Sequence, residues 1–293
     1  MLLRQKVLVA MLREARNRAS RIQLMKWAFL FSVETQSHAR NACYQFVPYH
    51  YGPHSFSLYQ EIDALIRHGI IENPGKHGSH WKLTDLADDV ALSLPTPVKT
   101  DIYYVMKRYG AMSGKQLIEL IYEKYPWYTI NCKDEVKRRQ TRPVADIAIY
   151  TIGYERLSVD DFLNQLLMKG IHCVIDVRNN PVSMRYGYHK GTLSRLCSLL
   201  GIEYFHFPEL GVPGSDRIEL AIKDDYDRLF ARYAQTTLRD HVEAIQHVAE
   251  IVETRPGALM CMEANPASCH RHVLAQALSD MIDLPVIHLE WPR

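Results

Sequence analysis

The side chains best equipped for chemistry crowd into residues 257–272, Gly-Ala-Leu-Met-Cys-Met-Glu-Ala-Asn-Pro-Ala-Ser-Cys-His-Arg-His. An apolar run ending in Glu263, a Pro-containing turn, and Ser268 ahead of the periodic Val273, Leu274, Ala277 and Leu278 predict strand, tight loop and helix. A helix start offers unpaired N–H donors and partial positive charge, which with His270 and Arg271 alongside would favour a thiolate at Cys269. Cys269 is therefore a candidate nucleophile. Neither Cys269 nor Cys261 opens the Cys-x5-Arg spacing of a phosphate-cradling loop, so phosphatase or rhodanese-type chemistry is not supported. Cys261 alternates onto the same strand face as Glu263 but lies inside an apolar run, and reads as a core thiol. Cys269, His270 and Glu263 could ligate a metal, yet one Cys-His pair without a second at zinc spacing is a weak signal. No metal and no cofactor are expected. No G-x-G-x-x-G follows the first strand, which argues against a dinucleotide cradle.

These residues need a scaffold, and from Asp146 onward strands and helices alternate, the pattern of a mainly parallel α/β (Rossmann-like) sheet flanked by helices. Predicted strands are 147–152, 171–177, 202–207, 258–263 and 285–289, with helices starting at Ser158, spanning 191–200, and spanning 237–254. Polar residues collect where strands stop: Tyr154 after the first, Asp176, Arg178 and Pro181 after the second, Glu209 after the third, Glu263 after the fourth. In a parallel sheet those ends share one edge, so they would line one crevice. Asp176, Glu209 and Glu263 are the acid-base candidates. Arg178 and Arg271 would clamp an anion, and Tyr154, Pro181 and His270 would contact a small anionic or nucleotide-like ligand. The competing expectation is an Asp176–Arg178 or Glu263–Arg271 ion pair tying loops together.

Tyr150-Thr-Ile-Gly-Tyr154, Val174-Ile-Asp-Val-Arg-Asn-Asn-Pro181, Gly201-Ile-Glu-Tyr, Pro208-Glu-Leu-Gly211 and Leu259-Met-Cys-Met-Glu-Ala-Asn-Pro-Ala-Ser-Cys-His-Arg271 together resemble the family catalogued as domain of unknown function number four-eight-eight, over residues 148–291. Its members usually carry His-Ser where this chain has Tyr154-Glu155. The resemblance implies a fold and a shared polar pocket, but no reaction.

Charge separates two halves. Residues 1–145 carry 21 Lys and Arg against 13 Asp and Glu, and residues 146–293 carry 14 against 20. A basic half is the better candidate for a polyanion partner. Helices are expected over 6–20 and 21–34, then an aromatic loop 46–55, a helix ending at Gly69, and a hairpin from Ile70-Ile71 through Asn73-Pro74-Gly75 to Trp81-Lys82-Leu83. That order describes a winged-helix-like domain over 1–95. Arg13, Arg16 and Arg18 on its helices, with Lys76 and Lys82 on its wing, are the nucleic-acid-binding candidates, although such runs are more often a solvated face. Residues 96–145 read as a helical connector, and 146–293 as the α/β domain. Leu24-Met-Lys-Trp, Tyr51-Gly-Pro-His-Ser, Leu58, Asp63, Leu65 and Gly69-Ile-Ile-Glu resemble the Panacea or SocA-type domain of antitoxins and prophage-linked proteins. That resemblance implies a module binding DNA or a partner protein, in a defence or mobile-element setting.

With 47% hydrophobic and 23% charged residues, the composition is that of a soluble globular protein. No apolar run reaches eighteen residues, so no membrane partner is expected, and the six cysteines lack disulfide-framework spacing, which suits the cytoplasm. Two functions follow as expectations. One is a nucleic-acid- or nucleotide-directed protein, DNA rather than RNA, whose crevice hydrolyses or transfers a nucleoside-type substrate. The other is a non-catalytic ligand sensor or antitoxin-like regulator binding DNA or a partner protein.

Overall fold

The structure is a computed structural model that describes residues 1–35, 42–72, 79–88, 94–217 and 223–290. It divides at Thr141/Arg142 into two compact units. All six cysteines are free thiols. Among the described residues no helix is long and apolar enough to cross a membrane.

The first unit is mostly helical with small antiparallel hairpins. Helix α1 (Leu3–Glu14) ends earlier than its apolar spacing predicts, because Arg16 and Asn17 turn left-handed, at φ 58° and 62°. The chain then enters β1 (Arg18–Ser20), and Ser20 caps α2 (Arg21–Glu34) by accepting from the Gln23 amide. The expected aromatic loop is a tight hairpin of β2 (Val47–Tyr49) and β3 (Gly52–His54). Helix α3 (Phe56–Arg67) follows, and Gly69 at φ 70° stops it. Strand β4 (His80–Lys82) pairs with β1 rather than forming a full ladder with Ile70-Ile71, which contributes the single bridge Ile71–Leu83. The expected turn at 73–75 lies outside the described residues, as does Lys76. Helices α4 (Thr96–Tyr109) and α5 (Gly114–Lys124), expected as a connector, bury Val98, Ile102, Val105, Leu117 and Ile121 in the same core as α1 and α2.

The second unit is a five-stranded parallel sheet flanked by helices, as the alternating pattern predicts. Its strands are β5 (Ile149–Gly153), β6 (Cys173–Asp176), β7 (Glu203–His206), β8 (Gly257–Cys261) and β9 (Val286–His288), in the spatial order β7-β6-β8-β5-β9. Strands β5, β6 and β8 are buried along their whole length, which explains why they read as continuous apolar runs. Their connections include α6 (Val159–Met168), capped by Ser158, and α7 (Lys190–Leu199). Helix α8 (Lys223–Gln235) falls where no element was predicted. The helix expected over 237–254 breaks at His241 into α9 (Thr237–Asp240) and α10 (Val242–Thr254). Helix α11 (Arg271–Ile282) returns the chain to β9. From β6 the chain proceeds outward to β7, and from β8 it crosses the other way to β9. The adjacent ends of β6 and β8 therefore form the switch point at which an open α/β sheet leaves a crevice.

Candidate active site

The expected strand-loop-helix is present, but α11 begins at Arg271, after a single 3-10 turn at Pro266–Ser268. Cys269 thus precedes the helix in extended backbone (φ −140°, ψ 134°), and His270 is the cap. This brings Cys269 and His270 back over the end of β8, where Cys261 waits. Both thiol sulfurs face the same ring nitrogen: Cys261 Sγ is 4.0 Å and Cys269 Sγ 3.9 Å from His270 Nδ1. Cys261 Sγ is also hydrogen-bonded to Glu263 Oε2 at 3.1 Å. Both cysteines and His270 are buried, and Glu263 is half-buried.

Burial and proximity pull these groups apart in acidity. The Cys261 thiol is held well below its ordinary range, first by the hydrogen bond from Cys269 and then by the His270 ring, against its burial. Cys269 is pushed well up, first by burial and then by its hydrogen bond with Cys261. Glu263 is raised, first by burial and then by the negative charge on Cys261. Groups this close, pushed apart in acidity, mark a candidate acid-base site.

In front of this floor lies a cavity of about 230 Å³ lined by Val212, Tyr226, Leu229, Phe230, Glu263, Ser268, Cys269 and His270. Its aromatic wall comes from α8. Tyr226, Leu229, Phe230 and Tyr233 recur at i, i+3, i+4 and i+7 amid charged residues, a signal legible in the sequence but diluted by the charge around it.

Arg271 is 1% exposed and clamps the loop rather than facing a ligand. Its guanidinium donates to the main-chain carbonyls of Glu263 (2.5 Å) and Ala264 (3.1 Å) and to Thr151 Oγ1 (3.4 Å). The loop is seated closely because residue 153 is glycine: a Cβ there would fall 1.8 Å from the Glu263 carbonyl oxygen. At the positions where family members usually show His-Ser, Glu155 accepts from the Ala264 amide at 3.0 Å, joining the ends of β5 and β8.

Asp176 and Arg178 form a separate buried network. Asp176 accepts from Arg178 Nε (2.8 Å), Nη2 (2.6 Å) and main-chain N (3.1 Å), and from the Tyr204 hydroxyl (2.5 Å). Arg178 also donates to the Tyr154 hydroxyl and the Tyr188 carbonyl, and the Tyr154 ring stacks on Tyr188 with centroids 4.0 Å apart. This is the loop-tying ion pair weighed above. Tyr188 and Tyr204, its essential supports, gave no chemical pattern in the sequence. Glu209 and Pro181 are half-buried in the turns after β7 and β6, and neither lines the cavity.

Residues 158–278 match a family model described as "Domain of unknown function DUF488". The second unit carries a DUF488 domain. The match encloses Asp176, Arg178, Pro181, Glu209, Glu263, Cys269, His270 and Arg271, whereas Tyr154 lies before it. No curated protein and no solved structure matches the chain. Nothing identifies the first unit, so its likeness to the Panacea or SocA-type domain stays a resemblance. There, Arg13 bonds Asp88 (3.0 Å) and the Ala87 carbonyl, while Arg16 and Arg18 are exposed. Lys82, opposite Arg18 in the β1–β4 ladder, lies 3.4 Å from Glu72.

Proposed function

We propose that the DUF488 domain is an enzyme that hydrolyses, or transfers a group on, a nucleoside-type substrate bound in the cavity between α8 and the end of β8. The observation that carries this reading is the pairing of an aromatic wall, Tyr226 and Phe230, with a proton-sharing floor of Glu263, Cys261, Cys269 and His270. Aromatic rings give a flat base a face to stack on, and a few convergent polar groups fix its orientation.

Glu263 is the acid-base residue. Its carboxyl, raised by burial and by Cys261, holds a proton more readily than an exposed carboxylate and can exchange it with the reacting group. Burial holds the Cys269 thiol protonated, which argues for water over Cys269 as the attacking nucleophile. With Arg178 and Arg271 committed to protein acceptors, the cavity suits a nucleoside better than a polyphosphate.

The test is turnover of a panel of nucleosides and nucleotides by the full chain. Glu263→Gln should lower kcat by roughly 10²–10⁴-fold, the usual contribution of a positioned acid-base group, while Tyr226→Ala should chiefly raise KM. No turnover of any panel member by the unaltered chain would remove the enzyme reading and favour a ligand sensor, and equal turnover by Glu263→Gln would remove Glu263 from the chemistry.

The exposed Arg18 and Lys82 on the β1–β4 ladder, with the exposed Arg16 in the turn before it, support a second role for the first unit, contact with nucleic-acid phosphates. Affinity for a DNA duplex should then fall steeply with salt, and Arg16→Ala with Arg18→Ala should flatten that dependence. Binding indifferent to salt would favour a protein partner.

A further inference from the structure

Two thiols and one imidazole nitrogen converging in a buried pocket form a donor set that zinc takes readily. Cys261 Sγ, Cys269 Sγ and His270 Nδ1 all lie within 4.8 Å of one another. At zinc–sulfur and zinc–nitrogen distances of about 2.3 and 2.0–2.1 Å, a tetrahedral ion holds sulfur and nitrogen about 3.6 Å apart. The observed 4.0 and 3.9 Å would have to shorten by only a few tenths of an ångström.

The orientation of His270 supports the same conclusion. Its Nε2 lies 3.0 Å from the Val177 carbonyl oxygen, which can only accept, so Nε2 carries the proton and Nδ1 turns its lone pair toward the sulfurs. A ring fixed from behind by a main-chain carbonyl is how metal-ligating histidines are oriented. Charge also balances, since two thiolates neutralise a divalent ion within this buried site. The pattern escapes a search for paired Cys-x2-Cys motifs because the ligands come from a strand end and a helix cap, spaced Cys-x7-Cys-His.

We infer that the DUF488 domain of this chain binds one zinc ion through Cys261, Cys269 and His270, with its fourth position open toward the cavity and Glu263 beside it as a proton carrier rather than a ligand. Both sulfurs bind as thiolates, and any thiol proton still held is released to solvent. A glutamate that is not a ligand, next to zinc held by two cysteines and a histidine, is the arrangement with which zinc enzymes activate water for attack on nucleobases. The water gives one proton to Glu263, its oxygen forms a bond to an electrophilic carbon, and the group displaced from that carbon leaves with the proton Glu263 returns. The role of the open position rests on the hydrolytic function proposed above, whereas metal binding stands independently of it.

The test uses the full chain, stripped with chelator under reductant and titrated with zinc alone, read by native mass spectrometry, and then with cobalt, read by absorption. One ion per chain is expected, with a thiolate-to-cobalt charge-transfer band and the d–d absorption of a tetrahedral site. Cys261→Ser and Cys269→Ser should each weaken binding by more than the roughly 10–100-fold that loss of an outer-shell partner costs. Glu263→Gln should keep both the ion and the band while losing turnover. No ion bound by the folded, unaltered chain, or a cobalt band that persists in a Cys261→Ser, Cys269→Ser double variant, would overturn the site. Loss of the ion from folded Glu263→Gln would overturn the open fourth position, retained zinc with retained turnover in that variant would overturn the proton-carrier role of Glu263, and a zinc-loaded unaltered chain without turnover would fail the hydrolytic function alone.

Discussion

His270 donates its Nε2 proton to the carbonyl oxygen of Val177, 3.0 Å away, and so ties the cap of α11 to the residue following β6. That bond leaves Nδ1 facing Cys261 and Cys269, and it makes the ring's position a property of the sheet rather than of the loop.

In the metal-free protein this arrangement should be visible as a thiolate. Because Cys261 is held well below the ordinary thiol range, chiefly by the bond from Cys269, ultraviolet thiolate absorbance should persist at pH values where a free cysteine is protonated. Cys269→Ala should move that titration upward most, and His270→Ala by less. A wild-type titration indistinguishable from that of an exposed cysteine would contradict the coupling.

Asp176 serves Arg178 before it serves any ligand. Four donors converge on its carboxylate, and both residues are buried. Asp176→Asn leaves a guanidinium buried without its counter-charge and should cost about 3–5 kcal/mol, measured by urea unfolding. Tyr204→Phe, which removes one hydrogen bond to a charged group, should cost about 1–3 kcal/mol. An Asp176→Asn chain as stable as the unaltered one would free Asp176 for a catalytic role.

The strands of the α/β unit were legible because β5, β6 and β8 are buried on both faces and read as unbroken apolar runs. Ser158 with Asp161, and Gly170 at φ 71°, announced the limits of α6. Cys261 was harder. The same apolar run that marks its strand makes a thiol look like core, and only its alternation with Glu263 hinted at the site. Arg178 and Arg271 look like anion clamps in sequence because a guanidinium's partners there, Asp176 excepted, are main-chain carbonyls and the hydroxyls of Tyr154 and Thr151, which leave no pattern.

Gly153 should resist substitution despite contributing no chemical group. A Cβ would meet the carbonyl of Glu263, which Arg271 holds by a hydrogen bond. Gly153→Ala should cost about 1–3 kcal/mol and displace the loop that carries Glu263, lowering any turnover more than the loss of stability explains. Wild-type stability and activity in Gly153→Ala would show that the loop yields easily.

Lys26 gives the first unit a pH dependence of its own. Its ammonium is buried, donates to the Pro53 carbonyl at 2.8 Å, and is lowered by burial to about 7 from an ordinary 10.5. Between those values the unfolded chain binds more protons than the folded one, so stability should rise with pH, by up to about 1.4 kcal/mol per unit. Nearby His54, lowered to about 3 by burial and then by Lys26, acts in the same direction at lower pH, where stability should fall from about 6.5 downward. Urea midpoints across this range should show both slopes. Lys26→Met should abolish the upper slope and shorten the lower one without removing it, since burial remains its larger cause, and a flat profile between pH 7 and 9 in the unaltered chain would mean that the Lys26 ammonium reaches water.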